Sequence, residues 1–192
     1  VCPALCEASC VLGIHSAPMT NQIIERSIIE TAFEKGYVKP FVPAVRSGKK
    51  VAVVGSGPAG LAAAEQLNRF GHMVTVYEKL EKTGGLLRYG IPNFKLEKQI
   101  IDRRVDLMKA EGITFICGTD PDEKTLAGYD AVVVAIGAGK PRDLPIPGRE
   151  LNGIHFALEF LGRQNRLLGK ESDGSEQWGK IDAKDKHVIV IG

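Results

Sequence analysis

The spacing of hydrophobic positions changes repeatedly along this chain. From Asn21 to Lys35 it is helical: Ile24, Ile28, Ala32 and Phe33 share a stripe that Ile23 and Ile29 widen. Thr20 or Asn21 is the expected cap and Gly36 the stop. Tyr37 to Gly48 contains Pro40 and Pro43 and reads as an extended linker. Val51 to Val54 predicts a strand, Leu61 to Phe70 a helix broken at Gly71, and Met73 to Tyr77 a second strand. Leu80 to Leu96 has no clear period. A helix follows over Leu96–Glu111, with Leu96, Ile100, Ile101, Val105 and Met108 on one side and Arg103, Arg104 and Asp106 on the solvated side. Ile113 to Cys117 predicts a strand. Tyr129 to Ile136 is a continuous apolar run, the pattern of a strand buried on both faces. Lys140 to Gly148 is an extended crossover. Ile154 to Leu168 predicts a helix with Phe156, Leu158, Phe160 and Leu161 in the core. Gly169 to Lys186 is polar, a surface loop pinned by Trp178. His187 to Gly192 resembles Lys50–Gly55 and reads as one more strand. Strands alternating with helices predict an α/β fold with a mainly parallel, Rossmann-like sheet.

The most informative chemistry lies between the first two strands. Gly55-Ser56-Gly57-Pro58-Ala59-Gly60 is a G-x-G-x-x-G that follows a strand and opens a helix. Gly55 permits the tight turn, Gly57 the approach of a pyrophosphate, and Gly60 close packing of helix on sheet. The helix start offers N–H groups and a positive dipole end to phosphates. Glu78 lies 18 residues past Gly60, near the ~20 expected of an acid that binds a ribose hydroxyl. Gly84-Gly85 allows close backbone approach to a bound ring or phosphate. Arg88 is either a phosphate contact or a surface charge. The turn Gly137-Ala138-Gly139 ends the last strand of the first sheet and is a second candidate contact to the same nucleotide.

Cys2, Cys6 and Cys10 give C-x3-C-x3-C. In a helix this spacing places all three thiols on one face. Iron–sulfur ligation, zinc ligation and a structural role all fit the spacing. Cys117 is expected to be a strand residue buried as a small hydrophobe. Three of the four cysteines fall in the first ten residues, unlike a distributed disulfide framework, and this favours a reducing compartment. His15 and His155 read as structural. The net charge of +2 suggests no nucleic-acid surface, and no apolar run approaches a membrane span. Both ends of the chain read as cuts, so a piece of a longer protein is expected.

These motifs together resemble the glutamate synthase small (β) subunit family, and also the electron-input half of dihydropyrimidine dehydrogenase. The resemblance runs along the whole chain. It is carried by Val1–Cys10, Gly84–Leu96, Gly137-Ala138 with Pro141-Arg142, and Val188–Gly192. It implies a helical cysteine-rich segment and linker over 1–46, an FAD-binding Rossmann-like domain over 47–150, and a connecting helix, loop and first strand of an NADPH-binding domain over 151–192. It implies FAD held by Gly55, Gly57, Ala59, Gly60 and Glu78, with Gly85, Leu86 and Arg88 beside the flavin and Gly137 at the second contact. It implies [4Fe–4S] ligation by Cys2, Cys6 and Cys10 with cysteines from upstream, and Glu25 as a non-cysteine ligand. The implied activity is an oxidoreductase passing electrons from NADPH through FAD and iron–sulfur clusters to the large glutamate synthase subunit or domain. A cytoplasmic setting, or a plastid in a plant, goes with it. No residue of this stretch is expected to be an acid–base catalyst. A pyrimidine-reducing or ferredoxin-linked NADPH oxidoreductase, or a non-enzymatic nucleotide-binding or docking module, are the alternatives.

Overall fold

The computed structural model describes residues 1–170 and 181–191. Trp178 and most of the expected polar loop, and Gly192, lie outside the described residues. The chain divides into two units, Val1–Phe41 and Val42–Gly192.

The first unit is helical. It holds α1 (Leu5–Ala8), a 3-10 turn (Val11–Ile14) and α2 (Asn21–Glu34). The expected cap of α2 is corrected. Thr20 caps with no side-chain hydrogen bond; instead the Gln22 N–H donates to Glu7 Oε1 at 2.7 Å, so a carboxylate from α1 satisfies a free donor at the positive end of α2. Gln22 Nε2 also donates to the Cys2 carbonyl at 2.6 Å. The predicted apolar stripe is present but exposed: Ile23, Ile24, Ile28 and Ile29 all face outward.

The second unit is a parallel sheet with helices. In chain order it runs β1 (Lys50–Val54), α3 (Pro58–Arg69), β2 (Met73–Glu78), α4 (Leu86–Tyr89), α5 (Lys98–Ala110), β3 (Thr114–Cys117), α6 (Glu123–Leu126), β4 (Ala131–Val134) and α7 (Ala157–Leu168). The strands are all parallel in the order β3-β2-β1-β4. Val53 pairs in register with Val76 and Val133, so these side chains share one face. On that face Val53, Val74 and Val76 meet Leu61 and Ala64 of α3 and Ile101, Val105 and Met108 of α5. Arg104, expected to be solvated, pairs with Glu65 and ties α5 to α3.

A polar clasp closes the other end of the two helices. Arg46 Nη1 donates to Asn68 Oδ1 at 2.6 Å and to the His72 carbonyl at 3.0 Å. Arg46 Nη2 and Asn68 Nδ2 both donate to the Glu111 carbonyl at 3.1 Å. Asn68 is fully buried, and such a group is tolerated only when bonded. The stretch expected to be a mere linker therefore carries the residue that joins the ends of α3 and α5.

Four expectations for this unit are corrected. β4 is an edge strand: Val132 and Val134 are 39% and 69% exposed. Among the described residues His187–Ile191 has no ladder partner, and it is exposed; an apolar, β-branched run marks strand propensity, but a strand needs a neighbour. Cys117 ends β3 but is exposed. On α7, Leu158 is exposed, and the buried residues are Gly162, Asn165 and Arg166. Among the described residues, no helix is long and apolar enough to cross a membrane.

Candidate functional site

The carboxyl ends of β1, β2 and β4 bring the three glycine turns together. A Cβ at Gly55 would lie 2.4 Å from the Ala135 carbonyl oxygen, just past β4, and Gly55 has φ +104°. A Cβ at Gly60 would lie 1.9 Å from the Gly55 carbonyl oxygen. Both positions therefore exclude any side chain, and for structural reasons alone: the fingerprint turn is pressed between β4 and the first turn of α3. The Leu61 N–H donates to the Gly57 carbonyl at 2.9 Å, so Gly57 caps the helix. Ala59 is exposed at its first turn, where backbone N–H groups lack helical partners.

Gly57 differs from its neighbours. Its backbone is extended, with φ −65° and ψ 179°, a conformation open to any residue. A Cβ added there meets nothing within 4 Å. Neither backbone strain nor crowding inside the protein requires glycine at this position. A ligand lying against the turn would, and a pyrophosphate at the α3 N-terminus is the kind of ligand such a turn admits. The residues present fit a dinucleotide.

Gly85 faces the same spot. It has φ +50°, and its Cβ would come within 2.9 Å of Gly57 Cα. The Gly84-Gly85 turn is thus laid directly on the fingerprint. Leu86, the next residue, is 56% exposed at the start of α4. Gly137 follows β4 with φ +73° and open space where a Cβ would stand. The topology puts it at the same sheet end as Gly55.

Glu78 closes the site at the end of β2, 5% exposed. Its Oε2 accepts from the Ser56 N–H at 3.1 Å and the Ser56 hydroxyl at 2.5 Å, and its Oε1 accepts from the Leu80 N–H at 2.9 Å. Ser56 is a residue that sequence reasoning missed. It is fully buried, and its Oγ accepts from the Gly84 N–H at 2.9 Å. One hydroxyl thereby joins the fingerprint, the acid and the second glycine turn. The available signal was its chemistry: a small hydroxyl at a variable fingerprint position can both donate and accept.

Arg88 is buried and turned elsewhere. Its Nε donates to the Thr83 carbonyl at 2.6 Å, and its Nη2 pairs with Asp102 of α5. Both readings from the sequence, phosphate contact and surface charge, give way to an internal tie. Together with Lys82, Lys109 and Cys117 it lines a cavity of about 280 Å³ on the α5 side. Partial desolvation first, then the nearby Glu78 charge, push the thiol of the surface-exposed Cys117 above its ordinary value, which disfavours the thiolate.

The cysteine segment is not gathered in the same way. Only Leu5–Ala8 is helical, so Cys2 and Cys10 fall outside the helix and the three thiols do not line one helical face. Cys2, Cys6 and Glu25 are exposed. Hydrogen bonds from the backbone at Met19, then Leu12, hold the Cys10 thiol below its ordinary value, which favours the thiolate. Among the described residues, no group of three or more His, Cys, Asp or Glu side chains is placed to hold a metal. As arranged, these donors do not fit a cluster by themselves.

The pyridine nucleotide-disulphide oxidoreductase family profile matches residues 49–192. The chain is 52% identical over 198 residues to the glutamate synthase [NADPH] small chain of Mycobacterium tuberculosis strain H37Rv, covering all of this chain and 41% of that one. It is 50% identical over 201 residues to the glutamate synthase [NADH] of Schizosaccharomyces pombe, covering all of this chain and 9% of that one. Among solved structures it resembles FprA of Mycobacterium tuberculosis in complex with NADPH, with TM-score 0.55 and 29% identity over 61% of this chain and 29% of FprA. The chain thus spans less than half the length of these relatives. It belongs to the pyridine nucleotide-disulphide oxidoreductase family, and within it to the group of the glutamate synthase small chains.

Proposed function

We propose that the second unit holds FAD and serves as the electron-input part of a glutamate synthase. The observation that carries the cofactor assignment is Gly57, a glycine at the α3 N-terminus that neither strain nor crowding within the protein requires. FAD, when bound, accepts a hydride equivalent and can release its electrons singly, which joins a nicotinamide donor to one-electron carriers. The chain's own residues do the placing. The α3 N-terminus at Ala59 and Gly60 receives the pyrophosphate, with Gly55 and Gly60 keeping the turn narrow. Glu78 faces the adenosine ribose, its carboxylate already oriented by Ser56 and Leu80. Gly85 and Leu86 border the flavin, and Gly137 forms the second contact. Arg88 supports that border from beneath through Thr83 and Asp102. None of these groups needs to transfer a proton.

The electron donor in this reading is a reduced nicotinamide dinucleotide. NADPH stands in the name of the bacterial small chain and NADH in that of the fission-yeast enzyme. The acceptor is a glutamate-forming large subunit or domain. Cys2, Cys6, Cys10 and Glu25 remain candidate ligands for an iron–sulfur cluster completed by other donors, and no electron step is assigned to them. The test uses the full-length protein with its large subunit: NAD(P)H oxidation should require 2-oxoglutarate and glutamine. Oxidation that instead depends on a pyrimidine, with no response to 2-oxoglutarate, would overturn the assignment.

A further inference from the structure

The aperiodic segment after Glu78 is held from two sides by residues outside the fingerprint. α4 has four residues, too few to be stable alone. Its last carbonyls, and those just beyond, need donors. Lys98, in the first turn of α5, supplies them: its ammonium donates to the carbonyls of Leu87 at 3.1 Å, Ile91 at 2.5 Å and Leu96 at 3.3 Å. All three donors of one side chain go to one loop. From the other side, Asn165 of α7 donates from Nδ2 to the Tyr89 carbonyl at 3.1 Å. Arg166 lies over the Tyr89 ring, 4.6 Å from its centroid. Asn165 and Arg166 are 7% and 4% exposed. The clamped loop is the one whose Gly85 rests on Gly57.

We propose that Lys98, with Asn165 opposite it, is a positioning residue for the cofactor: the two fix α4 so that the Gly84-Gly85-Leu86 turn stands at a set distance from the fingerprint. This rests on the FAD reading above. Lys98 is the stronger candidate because burial, and then the nearby Arg88 charge, disfavour its charged form, so its three carbonyl bonds must outweigh that cost.

The experiment uses the full-length protein stripped of flavin and titrated with FAD, followed by flavin fluorescence and by the visible spectrum of the saturated form. Lys98→Met is expected to weaken FAD binding at least tenfold and to shift the flavin absorption bands. Lys98→Arg, which keeps a multivalent donor, should recover most of both. Asn165→Leu releases the loop from the α7 side and should move the same two readouts, so the result does not hang on one variant folding. Wild-type protein that takes up no FAD overturns the cofactor reading and this proposal with it. Wild-type protein that binds FAD, beside folded Lys98→Met and Asn165→Leu variants of unchanged affinity and spectrum, overturns this proposal alone.

Discussion

Two tyrosines show how single residues set chemistry away from the site. Tyr77 on β2 and Tyr129 before β4 meet hydroxyl to hydroxyl at 2.9 Å, with rings edge to face at 6.1 Å. The bond to Tyr129 first, then burial, pushes the Tyr77 hydroxyl up to about 12, above the ~10 of a free tyrosine. The folded state therefore binds this proton more tightly than the unfolded chain. Its contribution to stability is complete below about pH 10 and is lost as pH rises towards 12. An ultraviolet titration of phenolate should show one tyrosine ionising late, and Tyr129→Phe should bring it back towards the ordinary range. At this scale the sequence was partly readable. That the fingerprint turn and Glu78 would meet was recognisable from their spacing in a strand–turn–helix–strand unit. Arg88 was not, because its inward turn depends on a partner, Asp102, 14 residues on in the chain; nor was Cys117, whose place at the exposed end of β3 is decided by what packs over the strand.

Elements were legible in proportion to their length. α3 and α5 were found because 12 and 13 residues give several turns of apolar period. α4 and α6, of four residues each, leave no period to read. The exposure of β4 was hidden for a different reason: an apolar run looks the same at a sheet edge as at its centre. The clasp of Arg46, Asn68 and the Glu111 carbonyl was hidden because its members lie in three separate segments. Its value can be measured. Asn68→Ala removes a buried amide bonded on both sides, and should lower stability by about 1–3 kcal/mol. Urea denaturation followed by circular dichroism reads this directly, and flavin affinity should change little, because the clasp lies at the opposite end of α3 from Gly57.

For the molecule as a whole, the order of strands and glycine turns was readable, and with it the position of the site beyond the carboxyl ends of a parallel sheet. The organisation of the cysteine segment was not, since three thiols spaced by four residues line one face only if the helix extends through them. The proposed function rests on one central claim: the fingerprint binds FAD, and Gly57 is glycine because the cofactor lies against it. The most direct measurement is the flavin content of full-length Gly57→Val protein beside wild type, with denaturation midpoints compared after flavin removal. The extended backbone admits any L residue, and a β-carbon at this position meets open space. The account predicts stoichiometric FAD in wild type, none in Gly57→Val, and apoproteins whose stabilities differ by no more than the ~1 kcal/mol of a weaker helix cap. Gly57→Val protein that keeps its full complement of FAD would contradict it.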